Sequence, residues 1–491
     1  MKLLKKIPFF LFLLVVFFCL HGSVENYGYL EIKEVLLIGG VLFLSILLCY
    51  GILFMVTGNA VLASIVSFFM GLWYFFFGAL HDWVKSVTRI SFISSYSFLL
   101  PLLLIITVLL FIFLKRKKQI AIKLFFYLNV LLLIYSAIDT VLLITKIASP
   151  KSISTRTVPF DTNKVNAKPN VYFLMFDEYA GNKSLKDSFG FANDSLFNYL
   201  SKKQFKKLPV FSNYDFTLFS MSAILNMQYV DTGYNPGKVT QRDFQIRTNE
   251  IRNGEVFTIF KKMGYQVRNY SVFDIGETHS ISRQNAFLPV HSVLLTDKIL
   301  HNRIIRTSGW LFQTGKLALP SWRKKYLYQH ETNNLYAQQM LIKSAGEKKT
   351  APVFCYAHFM LPHWPYYRDS TGAHNSDEII ASSNLLHDKA LYLSYLKYTN
   401  RVIEQLVDEI AGKDPGAIMI IMSDHGFRYY KNASAFEPLN FDNICAVRLP
   451  EKNHTSYKVQ WSAVNIFRYI FNTAYNQDIP YLPDSTIVLS Y

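Results

Sequence analysis

Residues 417–428 read Ala-Ile-Met-Ile-Ile-Met-Ser-Asp-His-Gly-Phe-Arg, and this stretch decides the fold. A run of branched and flexible apolar residues suits a strand buried on both faces, as in a parallel sheet. The run stops at Ser423. Asp424 and His425 then set a hard oxygen ligand beside an imidazole, ahead of the turn residue Gly426. Open α/β sheets carry their sites at this carboxyl edge. A polar turn that merely ends a strand has the same composition, so the stretch gains meaning from what else reaches that edge.

Working outward, Asn170–Gly181 repeats the pattern: an apolar run ends in Asp177-Glu178 and a glycine-containing turn. A carboxylate leaving a buried strand is a natural ligand for a hard metal, and it is equally a cap for the next helix. Residues 212–222, SNYDFTLFSMS, place polar residues ahead of an apolar-periodic run, which predicts a helix starting near Phe216. Thr217 then lies in the first turn, where free backbone N–H groups and the positive dipole end favour an anionic phosphate oxygen. A threonine there is ordinarily a cap; beside a metal its hydroxyl becomes a nucleophile. Residues 251–270 read as helix, glycine turn and strand. Residues 352–367 read as a strand ending in His358 and His363, the second held between Pro362 and Pro365. Either imidazole can bind phosphate or act as a general acid, and a buried hydrogen-bonding role suits His358 equally. Leu391–Ala411 reads as a long helix leading into the opening strand. Residues 277–345 carry Trp, Arg and Tyr that line a substrate groove or cover the sheet.

The chain of 491 residues is half hydrophobic, with a formal net charge of +17. The apolar content is concentrated in the first 150 residues, which carry 12 Lys+Arg against 5 Asp+Glu. With that front end, the basic balance points to an anionic membrane surface and not to nucleic acid. Apolar runs at Ile7–Leu20, Val35–Thr57, Ala60–Leu80, Ser97–Leu114 and Leu124–Ile144 predict five spanning helices. The cluster Lys115-Arg116-Lys117-Lys118 and the basic N-terminus belong in the cytoplasm, so an odd number of crossings exports everything after Ile144. Asp139, inside the last run, is either a functional charge or a residue bonding one helix to another. Residues 149–169 read as an external linker. The four cysteines are too scattered for a disulfide framework, and Cys355 and Cys445 are expected to be buried thiols.

On Asp177, Thr217, the LPHWPY stretch and SDHG, the sequence resembles the alkaline phosphatase/sulfatase superfamily. Its closest look is to the membrane-anchored branch with lipoteichoic acid synthases and lipid A phosphoethanolamine transferases. The resemblance implies one catalytic metal held by Asp177, Thr217, Asp424 and His425, Thr217 as nucleophile, and a substrate contact from His363. The first ligand in those transferases is usually Glu, which leaves Glu178 as a second candidate. The cysteines that flank the nucleophile in the phosphoethanolamine enzymes are missing. So is their histidine downstream of DHG, where Phe427-Arg428-Tyr429-Tyr430 stands instead. Arg428 either brings positive charge to a phosphate or is a solvated surface residue. No Cys or Ser lies in the C/S-x-P-x-R stretch from which sulfatases make formylglycine, so ordinary sulfate-ester hydrolysis is the weaker enzymatic reading.

The expected architecture is a five-helix transmembrane anchor (1–148), the linker (149–169) and an exported α/β domain (170–491) with a mainly parallel sheet sandwiched by helices. The expected function is metal-dependent transfer of a phospho-head-group from a membrane lipid donor to a glycan or lipid acceptor, through a phosphorylated Thr217. Zinc is the expected ion, and the oxygen-rich set also accepts manganese. Catalytic roles fall to Thr217 and His363, substrate-binding roles to His358 and Arg428. A bacterial inner-membrane location follows, multi-pass, with the catalytic domain on the periplasmic face. A phosphate or sulfate ester hydrolase, and a non-catalytic envelope binding protein, are the alternatives.

Overall fold

A computed structural model describes residues 3–27, 30–88, 90–148, 158–230, 234–281, 293–304, 324, 327–428, 438–449 and 461–490. The chain divides into two compact units. One is Met1–Thr155 with Ala286–Gly309; the other is Arg156–Asn285 with Trp310–Tyr491.

The first unit contains α1 (Phe9–Glu25), α2 (Ile32–Thr57), α3 (Ala60–Val87), α4 (Tyr96–Arg116) and α5 (Lys118–Ala148). Helices α2 to α5 are long and apolar enough to cross a membrane; α1 is apolar but only 17 residues long. Their outer surfaces keep large apolar residues exposed, among them Leu44, Leu109 and Val141, which suits contact with lipid. Polar groups grip the helices where their backbones need partners. The Asn129 side chain on α5 donates to the carbonyls of Leu4 and Ile7 at 2.8 and 3.0 Å and accepts from the Phe10 N–H at 2.8 Å. Asp139 is buried and sits 3.2 Å from His21 Nδ1, so it joins α5 to α1.

The second unit is built on a six-stranded sheet. Its strands are β1 (Val171–Phe176), β2 (Phe205–Lys207), β4 (Gln266–Tyr270), β5 (Val353–Phe359), β6 (Ile418–Ser423) and β7 (Cys445–Arg448). The order is β2-β7-β6-β1-β5-β4, parallel from β6 through β4, with β7 antiparallel to β6 and β2 antiparallel to β7 at one edge. Two short strands, β3 (Val210–Phe211) and β8 (Trp461–Ser462), pair beside it. Every residue of β1, β5 and β6 is buried, as expected of strands covered on both faces. Cys355 and Cys445 are buried free thiols.

The expected linker is only partly described, residues 149–157 lying outside the described set. Val158 and Phe160 pack into the core on one face of the sheet, and the Asp161 N–H donates to Gln477 Oε1 at 2.8 Å. Residues 293–304, read from sequence as groove or sheet cover, group instead with the helical unit.

Candidate active site

Strand period places the site. Along β1, Val171, Phe173 and Met175 belong to the core on one face, while Tyr172, Leu174 and Phe176 belong to the other. The same alternation runs through β5 (Phe354 and Tyr356 against Cys355 and Ala357) and β6 (Ile420 and Met422 against Met419 and Ile421). Phe176 is in register with both Phe359 and Ser423, so Asp177 and Asp424 each leave a strand one step beyond the same level. Continuing the period of two sends Asp177, Asp424 and His358 to the same face. The helix Thr217–Asn226 packs Met221, Ile224 and Leu225 on that face, and Phe216, in extended backbone, immediately precedes it.

Side chains from four elements therefore converge. Thr217 Oγ1 lies 3.3 Å from His425 Nε2. That same Nε2 is 3.6 Å from Asp177 Oδ1 and 3.5 Å from Asp424 Oδ2. His358 Nε2 is 3.7 Å from Asp177 Oδ2. His425 Nδ1 sits 2.8 Å from the Gly426 carbonyl, which can only accept. The proton is thereby fixed on Nδ1, leaving the Nε2 lone pair toward the threonine in the neutral ring. Asp424 Oδ1 accepts the backbone N–H groups of Glu178 at 3.1 Å and His425 at 2.9 Å, which aims Oδ2 at the site. Gly426 is required by space: a Cβ there would lie 2.4 to 2.8 Å from the carbonyl oxygens of Asp442, Leu439 and Asn440.

The donor set fits a divalent metal. Asp177 Oδ1, His358 Nε2 and Asp424 Oδ2 are buried without a hydrogen-bond partner. One ligand atom from each of these residues lies within 4.8 Å of the others. Three orphaned polar atoms facing one point cost far too much to persist unless something occupies it. Burial alone would raise the Asp177 carboxyl; the imidazoles of His363, His358 and His425 outweigh it and hold the group below the ordinary carboxylate range.

A second layer lies beside this centre. Glu178, buried and at φ 60, accepts the Arg428 backbone N–H at 3.1 Å and faces the Arg428 Nε at 3.5 Å. Its other oxygen is 3.7 Å from His363 Nε2. Arg428 Nη2 is 3.5 Å from the same imidazole nitrogen, and the guanidinium lies over the Phe216 ring at 5.4 Å. Glu178 is thus engaged with Arg428 and His363, while Asp177 faces the orphaned donors. Burial works against charge on Arg428, but Glu178, Asp177 and Asp424 hold it firmly protonated.

Two histidines escaped the sequence reading. His330, in the first turn of the helix Gln329–Gly346, keeps a buried Nδ1 without a partner. Burial, and then the charge of His363, push it down to about 4. Burial likewise lowers His387, which stands against the Phe427 ring at 6.3 Å. Neither sits at a strand end. No pattern in the sequence marks either; Asn334, a turn beyond His330, bonds both ways with the Met360 backbone just past β5, a pairing made by tertiary packing.

Carboxylates, imidazoles and a helix-start hydroxyl at the carboxyl edge of a parallel sheet are the parts that metal-assisted cleavage of an ester requires. Residues 252–457 match the family model described as Sulfatase. The matched residues include β4, β5, β6, β7 and the Asp424–His425 pair, so this part of the α/β domain is similar to the sulfatase family of ester-acting enzymes. A comparison with curated proteins finds no match. Among solved structures, the C-terminal periplasmic domain of EcEptC from Escherichia coli is 11% identical, covering 68% of this chain and 89% of its own, at a TM-score of 0.41. The same domain in complex with zinc is 10% identical over 68% and 89%, also at 0.41. The phosphonate monoester hydrolase SpPMH from Silicibacter pomeroyi is 14% identical over 65% and 76%, at a TM-score of 0.40.

Proposed function

We propose that the enzyme transfers a phospho-head-group from a membrane lipid to a glycan or lipid acceptor through a phosphorylated Thr217. The observation that carries this is the Thr217 hydroxyl at a helix start, 3.3 Å from His425 and beside three orphaned buried donor atoms. Asp177, Asp424 and His425 would hold the metal, with His358 Nε2 a further donor on the same side. The ion is zinc, or manganese given the carboxylate content. Bound there, a divalent ion would supply Lewis-acid charge that acidifies the Thr217 hydroxyl and offsets charge building on the phosphoryl group.

The residues of the chain do the remainder. Thr217 Oγ1 gives up its proton to solvent and attacks phosphorus, an Oγ1–P bond forms, the P–O bond to diacylglycerol breaks, and the departing oxygen takes a proton. His363, with one proton held on Nδ1 by the Trp364 carbonyl, gives a second proton from Nε2 to that oxygen, and Arg428 binds the non-bridging oxygens. An acceptor hydroxyl then attacks phosphorus, and Thr217 is released with a proton returned to it. The reading extends to the anchor: α1 also crosses, the five crossings export the α/β domain, and the enzyme works on the periplasmic face of a bacterial inner membrane. Anchor, linker and catalytic domain are then 1–148, 149–169 and 170–491, except that Val158 and Phe160 pack on the sheet and residues 293–304 group with the helices.

Incubation with a phospholipid labelled in its head group tests the proposal. Diacylglycerol together with a labelled glycan or lipid is the expected outcome. A label that appears only in water-soluble head group means hydrolysis, and no turnover of any phosphate or sulfate ester leaves a binding protein.

A further inference from the structure

Residues 293–304 come from the middle of the α/β domain's sequence, yet they are built into the helical unit. Leu295 and Ile299 are each 1% exposed and share a core with Phe10, Leu14 and Phe18 of α1. Glycines make room for them. A Cβ on Gly22 would lie 2.3 Å from Leu295 Cδ1, and one on Gly78 would lie 2.4 Å from the Asp297 carbonyl oxygen. The Gly78 N–H donates to the Lys298 carbonyl at 2.8 Å, and the Tyr74 hydroxyl is 2.7 Å from His301 Nδ1.

Arg303 completes the fit. It is buried, and its Nη1 donates to Asp82 Oδ1 on α3 at 2.9 Å while Nη2 reaches the other oxygen of the same carboxylate. Its Nε donates to the Asp297 carbonyl at 2.7 Å, and Nη2 lies 3.2 Å from Asp297 Oδ2. A two-pronged guanidinium–carboxylate pair is geometrically specific. A buried guanidinium left without such a partner is strongly destabilising. The pairing therefore belongs to a dedicated seat for this segment.

We infer that residues 293–304 are a clasp that fastens the α/β unit to the membrane helices at a second point, and that action on a lipid-borne substrate depends on it. The fastening stands on the packing alone; the dependence rests on the lipid-donor reading proposed above. A domain held only by the stretch after α5 samples a large volume around its tether. A second attachment raises the effective concentration of site and bilayer for one another without touching the chemistry.

Two measurements on the full-length protein in membranes test this. A specific protease site placed between Ala148 and Arg156 severs the first attachment. After cleavage and washing, the fragment carrying 156–491 stays with the sedimented membrane, and it is released when Leu295→Asp and Arg303→Asp are introduced. Release of the unaltered fragment, or retention of the variant one, overturns the clasp. In the second measurement, uncleaved Arg303→Asp protein in proteoliposomes loses at least about tenfold in phospholipid turnover. It keeps its turnover of soluble bis(p-nitrophenyl) phosphate, which also reports that the α/β unit is folded, and the reversed pair Asp82→Arg/Arg303→Asp restores lipid turnover. Undiminished lipid turnover, or equal loss on both substrates that the reversed pair does not repair, overturns the dependence. Should the unaltered protein turn over neither substrate, the proposed function fails while sedimentation still decides the clasp.

Discussion

The Thr217 hydroxyl lies 3.3 Å from Nε2 of His425, although the two residues are 208 positions apart in the chain. The same nitrogen stands within 3.6 Å of Asp177 and Asp424. If Thr217 is the nucleophile, Thr217→Ala lowers kcat by at least on the order of 10³-fold. Thr217 is the first residue of its helix and its hydroxyl faces His425 at 3.3 Å, so stability changes by less than about 0.5 kcal/mol. Metal content also stays near that of the unaltered protein. Steady-state turnover, thermal unfolding and metal analysis are read together, and full activity in this variant moves the nucleophile elsewhere.

His358 and His425 compete for the same role, and substitution separates them. His425→Gln and Asp424→Asn are expected to abolish stoichiometric metal, because both side chains face the orphaned donors and the hydroxyl. His358→Gln, if His358 is an outlying donor, weakens metal affinity by about 10–100-fold without abolishing binding. The check is metal content after dialysis against a graded chelator, followed by reconstitution with zinc or manganese. Complete loss in His358→Gln with retention in His425→Gln would exchange their assignments.

Glu178 holds Arg428 and His363 through its two oxygens. Glu178→Gln keeps the acceptor toward the Arg428 backbone but removes the charge facing its guanidinium. KM is expected to rise about tenfold with a smaller change in kcat, the mark of an interaction made with the bound substrate. Arg428→Lys shows the same split, because an ammonium does not reproduce a planar fork. A fall in metal content in Glu178→Gln would instead make Glu178 a ligand.

His330 carries a pH signature. Its folded pKa is pushed down to about 4, against about 6.5 for an unperturbed imidazole. Between those values the unfolded chain takes up a proton that the folded one refuses, so stability falls as pH drops through the window. Allowing for the ring's partial exposure, the loss is on the order of 1–2 kcal/mol. Denaturant midpoints measured from pH 7 to pH 4 should show it, and His330→Asn should lack this part of the acid slope. An unchanged slope removes His330 from the buried second layer.

Gly426 tolerates no side chain. A Cβ there meets three backbone carbonyl oxygens at 2.4 to 2.8 Å, none of which can swing aside as a flexible side chain would. Gly426→Ala should cost about 2–4 kcal/mol and should disturb the Asp424–His425 pair along with it. Thermal unfolding and metal content would fall together, whereas a stable variant with intact metal would show that the loop yields.

Sequence alone determined the local features: where apolar runs end in polar ligands, and where a helix begins. The buried runs at 171–176 and 418–423 and the helix start at Thr217 follow from side-chain period and backbone capping, which act between near neighbours. Composition made five apolar runs legible, and four of them are helices long and apolar enough to cross a membrane among the described residues. Tertiary structure decided what depends on contacts between distant segments. His358 joins Asp177 and Asp424 only because strand register puts β1, β5 and β6 at one level. Glu178 turns to Arg428, 250 positions away, and Arg303 finds Asp82 at a separation of 221. No periodicity encodes such pairings, since each partner is chosen by the packing of whole elements and not by its neighbours in the chain.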